Sequence, residues 1–282
     1  MCENVYHYTN FSSFAGMFAE NFTGNLWLFD ARQMNDKSEI KKFTDEIIRK
    51  TKEILSCETQ RNSLNDVYHQ YMLHHETTTY VMSFSSKHDD ASQWQIYGNK
   101  GAGISIGFNK HYLEEFVHKC CLRNCPGRLQ TVFYFIPKDH ELPDILADFM
   151  KTGNDSTHTF ENLNEAIQCM FACGASFKDP SFNSEVETRI AITWPIKQSN
   201  VHYQCTPTKI KKYYCLPWTK CFNPIPNEEN WIDNFNYDDL ITEILIGPCS
   251  TQSIDVLKEY LKDHKFEKLA DKVYKSKCPL QV

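Results

Sequence analysis

Residues 185–192 read Glu-Val-Glu-Thr-Arg-Ile-Ala-Ile, and their side chains alternate with a period of two. That period commits the segment to a β-strand packed on one face. Val186, Thr188, Ile190 and Ile192 share the packed face. Glu185, Glu187 and Arg189 share the other, and Pro195 ends the strand because it has no N–H to give to a ladder. A single strand is unstable in water, so the rest of the chain must supply a sheet and a cover for its apolar side.

Suitable partners recur along the chain. Residues 5–9, 26–31, 77–86, 103–108, 129–136, 211–218, 241–248 and 272–276 are short, β-branched or aromatic, and bounded by turn residues. Helical spacing lies between them. Phe14, Met17, Phe18 and Phe22 form one stripe, with Ser12 or Ser13 as N-cap. Ile40, Phe43, Ile47, Ile48 and Leu55 form another, opened by an Asp36–Glu39 capping box. Residues 110–120, 139–150, 158–177 and the segment after Ser253 are also helical in pattern, and Asp89–Gly103 reads as a turn, a short helix and a glycine exit. The alternation has no regular βα period and no linker interrupts it. The expected architecture is therefore one α+β domain over 1–282, with a helical insertion at about 139–178.

Composition excludes several classes. With 41% apolar and 13% aromatic residues, 282 residues are enough for a sizeable core and too apolar for disorder. A net charge of −6 gives no overall electrostatic footprint for nucleic acid. The stretch Lys209–Tyr214 (KIKKYY) is the best local basic patch, or else a solvated strand face. No apolar run reaches the ~18 residues of a membrane span, and the first ten residues lack the basic and apolar regions of a signal peptide. A cytoplasmic chain with reduced cysteines is expected, and no membrane partner. His118, Cys120, Cys121 and Cys125 cluster, as do Cys169 and Cys173, but without the paired spacing of a zinc site, so no metal is expected. P-loop, GxGxxG, HExxH and GxSxG motifs are missing from the sequence.

Five stretches offer candidate chemistry. His7 and Thr9 share one face of the first strand, with Tyr6 and Tyr8 on the other. Ser83 and Ser85 share a face of the strand at 77–86. Trp94 and Tyr97 are three residues apart, placed to stack on a planar ligand or to fill a core. Asn35, Asp36 and Glu39 are explained by the capping box. A carboxylate beside Arg189 is held ionised, and in a cleft it stabilises a developing cation or takes a proton. The same charged face also suits a solvent-exposed strand laced by ion pairs.

The order YHYT, LWLFDARQMNDKSE, YVMSFS, SQWQIYG…GAGISIGF, FNSEVETRIAI and ITEILIGP resembles the mostly bacterial family catalogued as domain of unknown function 2971, from residue 5 to about 276. More remotely, both ends of the chain resemble the ADP-ribosyltransferase superfamily, in its His-Tyr-Glu branch. That second resemblance implies a split β-sheet core and NAD as substrate. It implies His7 on a ribose hydroxyl, Thr9 and Tyr8 beside it, Tyr97 stacked on nicotinamide, and Glu187 or Glu185 as the catalytic glutamate. Ser83, Ser85, Trp94 and Arg189 would line the NAD site. The chain departs from the superfamily in its E-x-E-x-R pattern, which leaves two glutamates for one role. The implied activity is transfer of ADP-ribose to a macromolecule, nucleic acid or protein, as toxins and anti-phage effectors do. NAD glycohydrolysis, a non-catalytic nucleotide- or nucleic-acid-binding module and a protein–protein adaptor are the alternatives.

Overall fold

The computed structural model describes residues 3–19, 24–33, 39–74, 77–120, 128–134, 140–154, 156–157, 159, 161–195, 201–206, 208–217 and 237–280. Asp36 of the expected capping box lies outside them, as do Phe22, Asn35, Cys121 and Cys125.

Ten strands among these residues form one mixed sheet. In chain order they are β1 (Asn4–Thr9), β2 (Asn25–Asp30), β3 (Thr77–Ser85), β4 (Ile104–Asn109), β5 (Arg128–Thr131), β6 (Glu187–Pro195), β7 (Val201–Cys205), β8 (Ile210–Pro217), β9 (Ile241–Ile246) and β10 (Val273–Lys275). The helices are α1 (Phe11–Ala19), α2 (Glu39–Ile54), α3 (Glu58–His74), α4 (Ala91–Ile96), α5 (Lys110–Cys120), α6 (Leu142–Thr152), α7 (Leu163–Gly174), α8 (Tyr237–Leu240), α9 (Ile254–Asp263) and α10 (Glu267–Ala270).

β3 is the axis of the sheet. β6 pairs antiparallel with it over its whole length, from Thr77 opposite Pro195 to Ser85 opposite Glu187. A strand has two edges, so β1 and β2 must share the other one. β1 meets β3 only at Tyr6 opposite Ser85, and β2 only at Phe29 and Asp30 opposite Val81 and Tyr80. The sheet therefore forks. One arm runs β1-β4-β9-β10 and the other β2-β8-β7. α1 joins the two diverging strands. It packs so closely on the second arm that a Cβ at Gly16 would lie 2.0 Å from the Trp27 indole.

One sheet face carries the main core. Val5, Leu28, Phe84, Phe108, Ile190 and Ile192 pack there with Phe14 and Phe18 of α1, Phe116 of α5 and Leu261 of α9. Each such side chain contributes about 1.5–3 kcal/mol by leaving water. A second core lies among α2, α3, α6 and α7, built on Phe43, Ile47, Leu64, Leu146, Ile167 and Met170. The expected helical insertion is thus α6 and α7, packed on α2. Val81, Ala175 and Ala191 join that helical layer to the sheet, and their small volumes let the C-terminal end of α7 approach β6.

Several boundaries differ from the sequence reading. The expected strand at 129–136 is ordered as β only to Thr131, after which Phe133 bridges Phe177. Asn10, not Ser12 or Ser13, caps α1: its side chain accepts the Ser13 N–H at 2.8 Å. α3 and β7 lacked a legible period. β6 starts at Glu187, because Glu185 belongs to a 3-10 turn (Pro180–Glu185) and Val186 is left-handed at φ 46°, ψ 60°. Val186 is 48% exposed and does not join the packed face expected of it.

Candidate functional site

A cavity of about 310 Å³ opens in the fork, at the lower end of the range for small-molecule sites. His7, Tyr8 and Thr9 line it from β1, Ser83 and Ser85 from β3, and Tyr97 from the end of α4. Glu185, Glu187 and Arg189 line it from the start of β6, and Gln204, Thr206 and Lys211 from the β7–β8 arm. Tertiary structure thus brings together nine of the ten residues proposed from sequence.

His7 owes its position to the fork. Beyond the Tyr6–Ser85 pair β1 leaves β3, and the Ser83 carbonyl takes a side-chain donor: His7 Nδ1 donates to it at 2.8 Å. A carbonyl only accepts, so Nδ1 carries the proton. Burial lowers the imidazole pKa below its usual value, against the opposing pull of the Ser83 carbonyl. His7 is therefore neutral at pH 7, with Nε2 as an acceptor.

Opposite it lies a buried cluster of four charges. Glu187 accepts from Arg189 Nε (2.6 Å) and Nη2 (3.0 Å) and from Lys178 Nζ (3.1 Å). Lys178 also donates to Glu185, whose other oxygen accepts the Tyr97 hydroxyl at 2.5 Å. Arg189 reaches the Ala175 carbonyl with Nη1 at 2.9 Å, tying β6 to the end of α7. The four residues are only 8% (Lys178), 6% (Glu185), 5% (Glu187) and 1% (Arg189) exposed. Burial alone would raise the Glu187 pKa. The Arg189 guanidinium and the Lys178 ammonium overcome it and hold the carboxylate below its usual range. Lys178 is likewise held charged, since Glu187 and Glu185 outweigh its own desolvation. Burial and then the bond to Glu185 push the Tyr97 phenol up, so it stays a donor. The Tyr134 hydroxyl accepts the Glu187 N–H at 3.2 Å.

The remaining residues divide by what already occupies them. Trp94 does not reach the cavity. It is fully buried, sits edge-on to Tyr8 at 4.9 Å and donates Nε1 to Asp89, because the turn at Asp89–Asp90 draws that face of α4 into the core. Tyr8 donates its hydroxyl to the Lys87 carbonyl and accepts from the Asp90 N–H. Ser85 donates to the Glu185 carbonyl. These contacts hold the walls of the cavity. The Ser83 hydroxyl lies close enough to Glu187 to favour its charge but outside hydrogen-bonding geometry. Arg189 lines the cavity, and its guanidinium bonds Glu187 and the Ala175 carbonyl.

Lys178 was missed by sequence reasoning. It stands in an aperiodic loop, and its distance from Glu187 is set by the 3-10 turn. Lys211 was visible as part of a basic stretch, and strand alternation places it with Tyr213, apart from Lys212. Among the described residues no three His, Cys, Asp or Glu side chains gather as metal ligands do. No described helix is long and apolar enough to cross a membrane.

Fold and site together define a mixed α/β protein with a forked sheet and a ligand-sized cavity over a charge-compensated carboxylate pair. Residues 93–190 match the model of the family described as Protein of unknown function (DUF2971). The matched segment contains Tyr97, Lys178, Glu185, Glu187 and Arg189, whereas His7 and Lys211 lie outside it. No curated protein and no solved structure matches the chain.

Proposed function

We propose that the fork cavity binds NAD, cleaves its nicotinamide–ribose bond and transfers ADP-ribose to a macromolecular acceptor. The observation that carries this reading is the meeting, in one cavity, of a neutral His7 with an open Nε2 and a buried, ionised Glu187. Nicotinamide leaves as a neutral group from a cationic one, so the bond needs no general acid. It needs stabilisation of the oxocarbenium-like sugar, which a preorganised carboxylate supplies. Arg189 and Lys178 fix Glu187 in one rotamer and keep it charged. Glu185 orients Tyr97 by its hydroxyl, so the ring reaches the ligand in a set plane. His7 Nε2 would accept a ribose hydroxyl.

Both carboxylates already carry cationic partners, and this favours a second reading, a nucleotide-binding module without turnover. The two readings part on nicotinamide release from NAD, measured with and without cell lysate. Wild type, His7→Ala and Glu187→Gln would be compared, each shown to be folded by circular dichroism. His7→Ala leaves the four-charge cluster intact, so its loss of release reports on the site. Lysate-dependent release supports transfer, and lysate-independent release supports glycohydrolysis. No release from folded wild type in either condition overturns the catalytic reading.

A further inference from the structure

The charges lining the cavity are not evenly matched. Lys178 and Arg189 are neutralised by Glu185 and Glu187 at the β3–β6 wall. Lys211, on the opposite arm, has no acidic partner among the described residues. Its ammonium stands over the Phe29 ring, 5.2 Å from the centroid, and that contact holds the head at the cavity wall. Burial, and then the neighbouring Lys209, lower its pKa and make its charge costly. Beside it, Gln204 Nε2 donates to the Ser13 hydroxyl at 3.2 Å, which leaves the Ser13 proton free to turn elsewhere. A half-buried cation beside hydroxyl and amide donors suits a ligand group that only accepts and carries negative charge.

We propose that Lys211, with Ser13 and Gln204, is the phosphate-binding end of the cavity and takes the phosphates of a nucleotide ligand. A nucleotide would then lie across the fork, its phosphates on the β7–β8 arm and its sugar between His7 and the carboxylates. The inference rests on the nucleotide reading of the cavity and is independent of turnover.

Calorimetric titration of the full chain with ADP-ribose and with adenosine tests it, in wild type, Lys211→Met, Lys211→Arg and Lys209→Met. Methionine keeps most of the side chain's length and apolar volume and removes the charge. Lys209 makes the same change of net charge on an exposed residue that does not line the cavity. Loss of a charge-assisted bond predicts ADP-ribose binding weakened roughly tenfold to a hundredfold in Lys211→Met, with adenosine unchanged. Lys211→Arg should retain most of the affinity. Lys209→Met should change it by about twofold or less, because exposed charge is screened. The inference falls if Lys211→Met binds ADP-ribose as wild type does, or if both lysine variants weaken it equally. It also falls if adenosine is weakened as much, or if wild type binds no ADP-ribose. Nicotinamide release with an unchanged KM in Lys211→Met would overturn this inference and leave the reaction standing. Lys211-dependent binding without release would do the reverse.

Discussion

Replacing Lys178 by methionine takes one positive charge from a buried cluster of two carboxylates and two cations. Methionine keeps most of the stem's volume and loses only the ammonium, with its place 4.6 Å from the centroid of the Phe182 ring, so the change is chiefly electrostatic. At an effective dielectric near 20, the 3.1 Å contact with Glu187 alone is worth about 5 kcal/mol before desolvation. Removing the ammonium also removes its own desolvation cost, and the net penalty for leaving a buried charge unpaired is about 3–5 kcal/mol. At about 2 °C per kcal/mol for a chain of this size, the thermal midpoint at pH 7.5 should fall by roughly 6–10 °C. The pH dependence has a definite sign. In wild type Glu187 titrates below its unfolded value, so its stabilising contribution is present above that value and lost as pH falls through the folded pKa. In the variant, burial no longer opposed by Lys178 pushes one carboxyl up, so its folded form is favoured when protonated. That stability is present below the unfolded value of about 4.3 and lost as pH rises. The gap between the two proteins should therefore narrow steadily from pH 7.5 to pH 4.5. Urea and thermal midpoints across that range measure it. A loss under about 1 kcal/mol, or a gap that does not change with pH, would refute the account of a tightly compensated cluster, because either outcome is what an exposed ion pair gives.

Three further expectations follow from the geometry around the cluster. Nitrogen-15 spectra of His7 at pH 7 should show Nδ1 protonated and Nε2 bare, and imidazolium or the other tautomer would contradict the bond to Ser83. Because the folded pKa lies below the unfolded one, the contribution of neutral His7 to stability is full above about 6.5 and lost as pH falls. The advantage of wild type over His7→Gln should shrink accordingly. Val186→Gly relieves a left-handed β-branched residue, worth about 1–2 kcal/mol, against about 0.5–1 kcal/mol of added chain entropy. The variant should be equal to wild type or up to about 1.5 kcal/mol more stable in urea, whereas a clear loss would mean that Val186 is packed after all.

Much of the site could be read from residue order alone. The period of two at 187–192 put Glu187 and Arg189 on one face and Ile190 and Ile192 on the other, and the structure keeps both assignments. The small polar residues of β3 proved to stand opposite that charged face, Ser83 with Arg189 and Ser85 with Glu187. Glu185 reaches the cavity by another route, since a 3-10 turn and not the strand directs it. Trp94 shows the limit of helical spacing: three residues place it near Tyr97 along α4 but do not say which of the two meets the core.

Local periodicity, turn chemistry and charge thus determined by themselves that the chain builds a mixed sheet with helices, and that a carboxylate–arginine strand and a histidine strand belong to it. Those signals act over a few residues, where backbone geometry alone decides which side chains share a face. Only the tertiary structure decided that β1 and β2 share one edge of β3, which opens the fork. It also decided that the loop after α7 carries Lys178 between two glutamates, and that Lys211 faces His7's cavity. Those placements depend on long-range pairing and on small residues at Val81, Ala175 and Ala191 that let α7 approach, and neither leaves a repeat in the sequence.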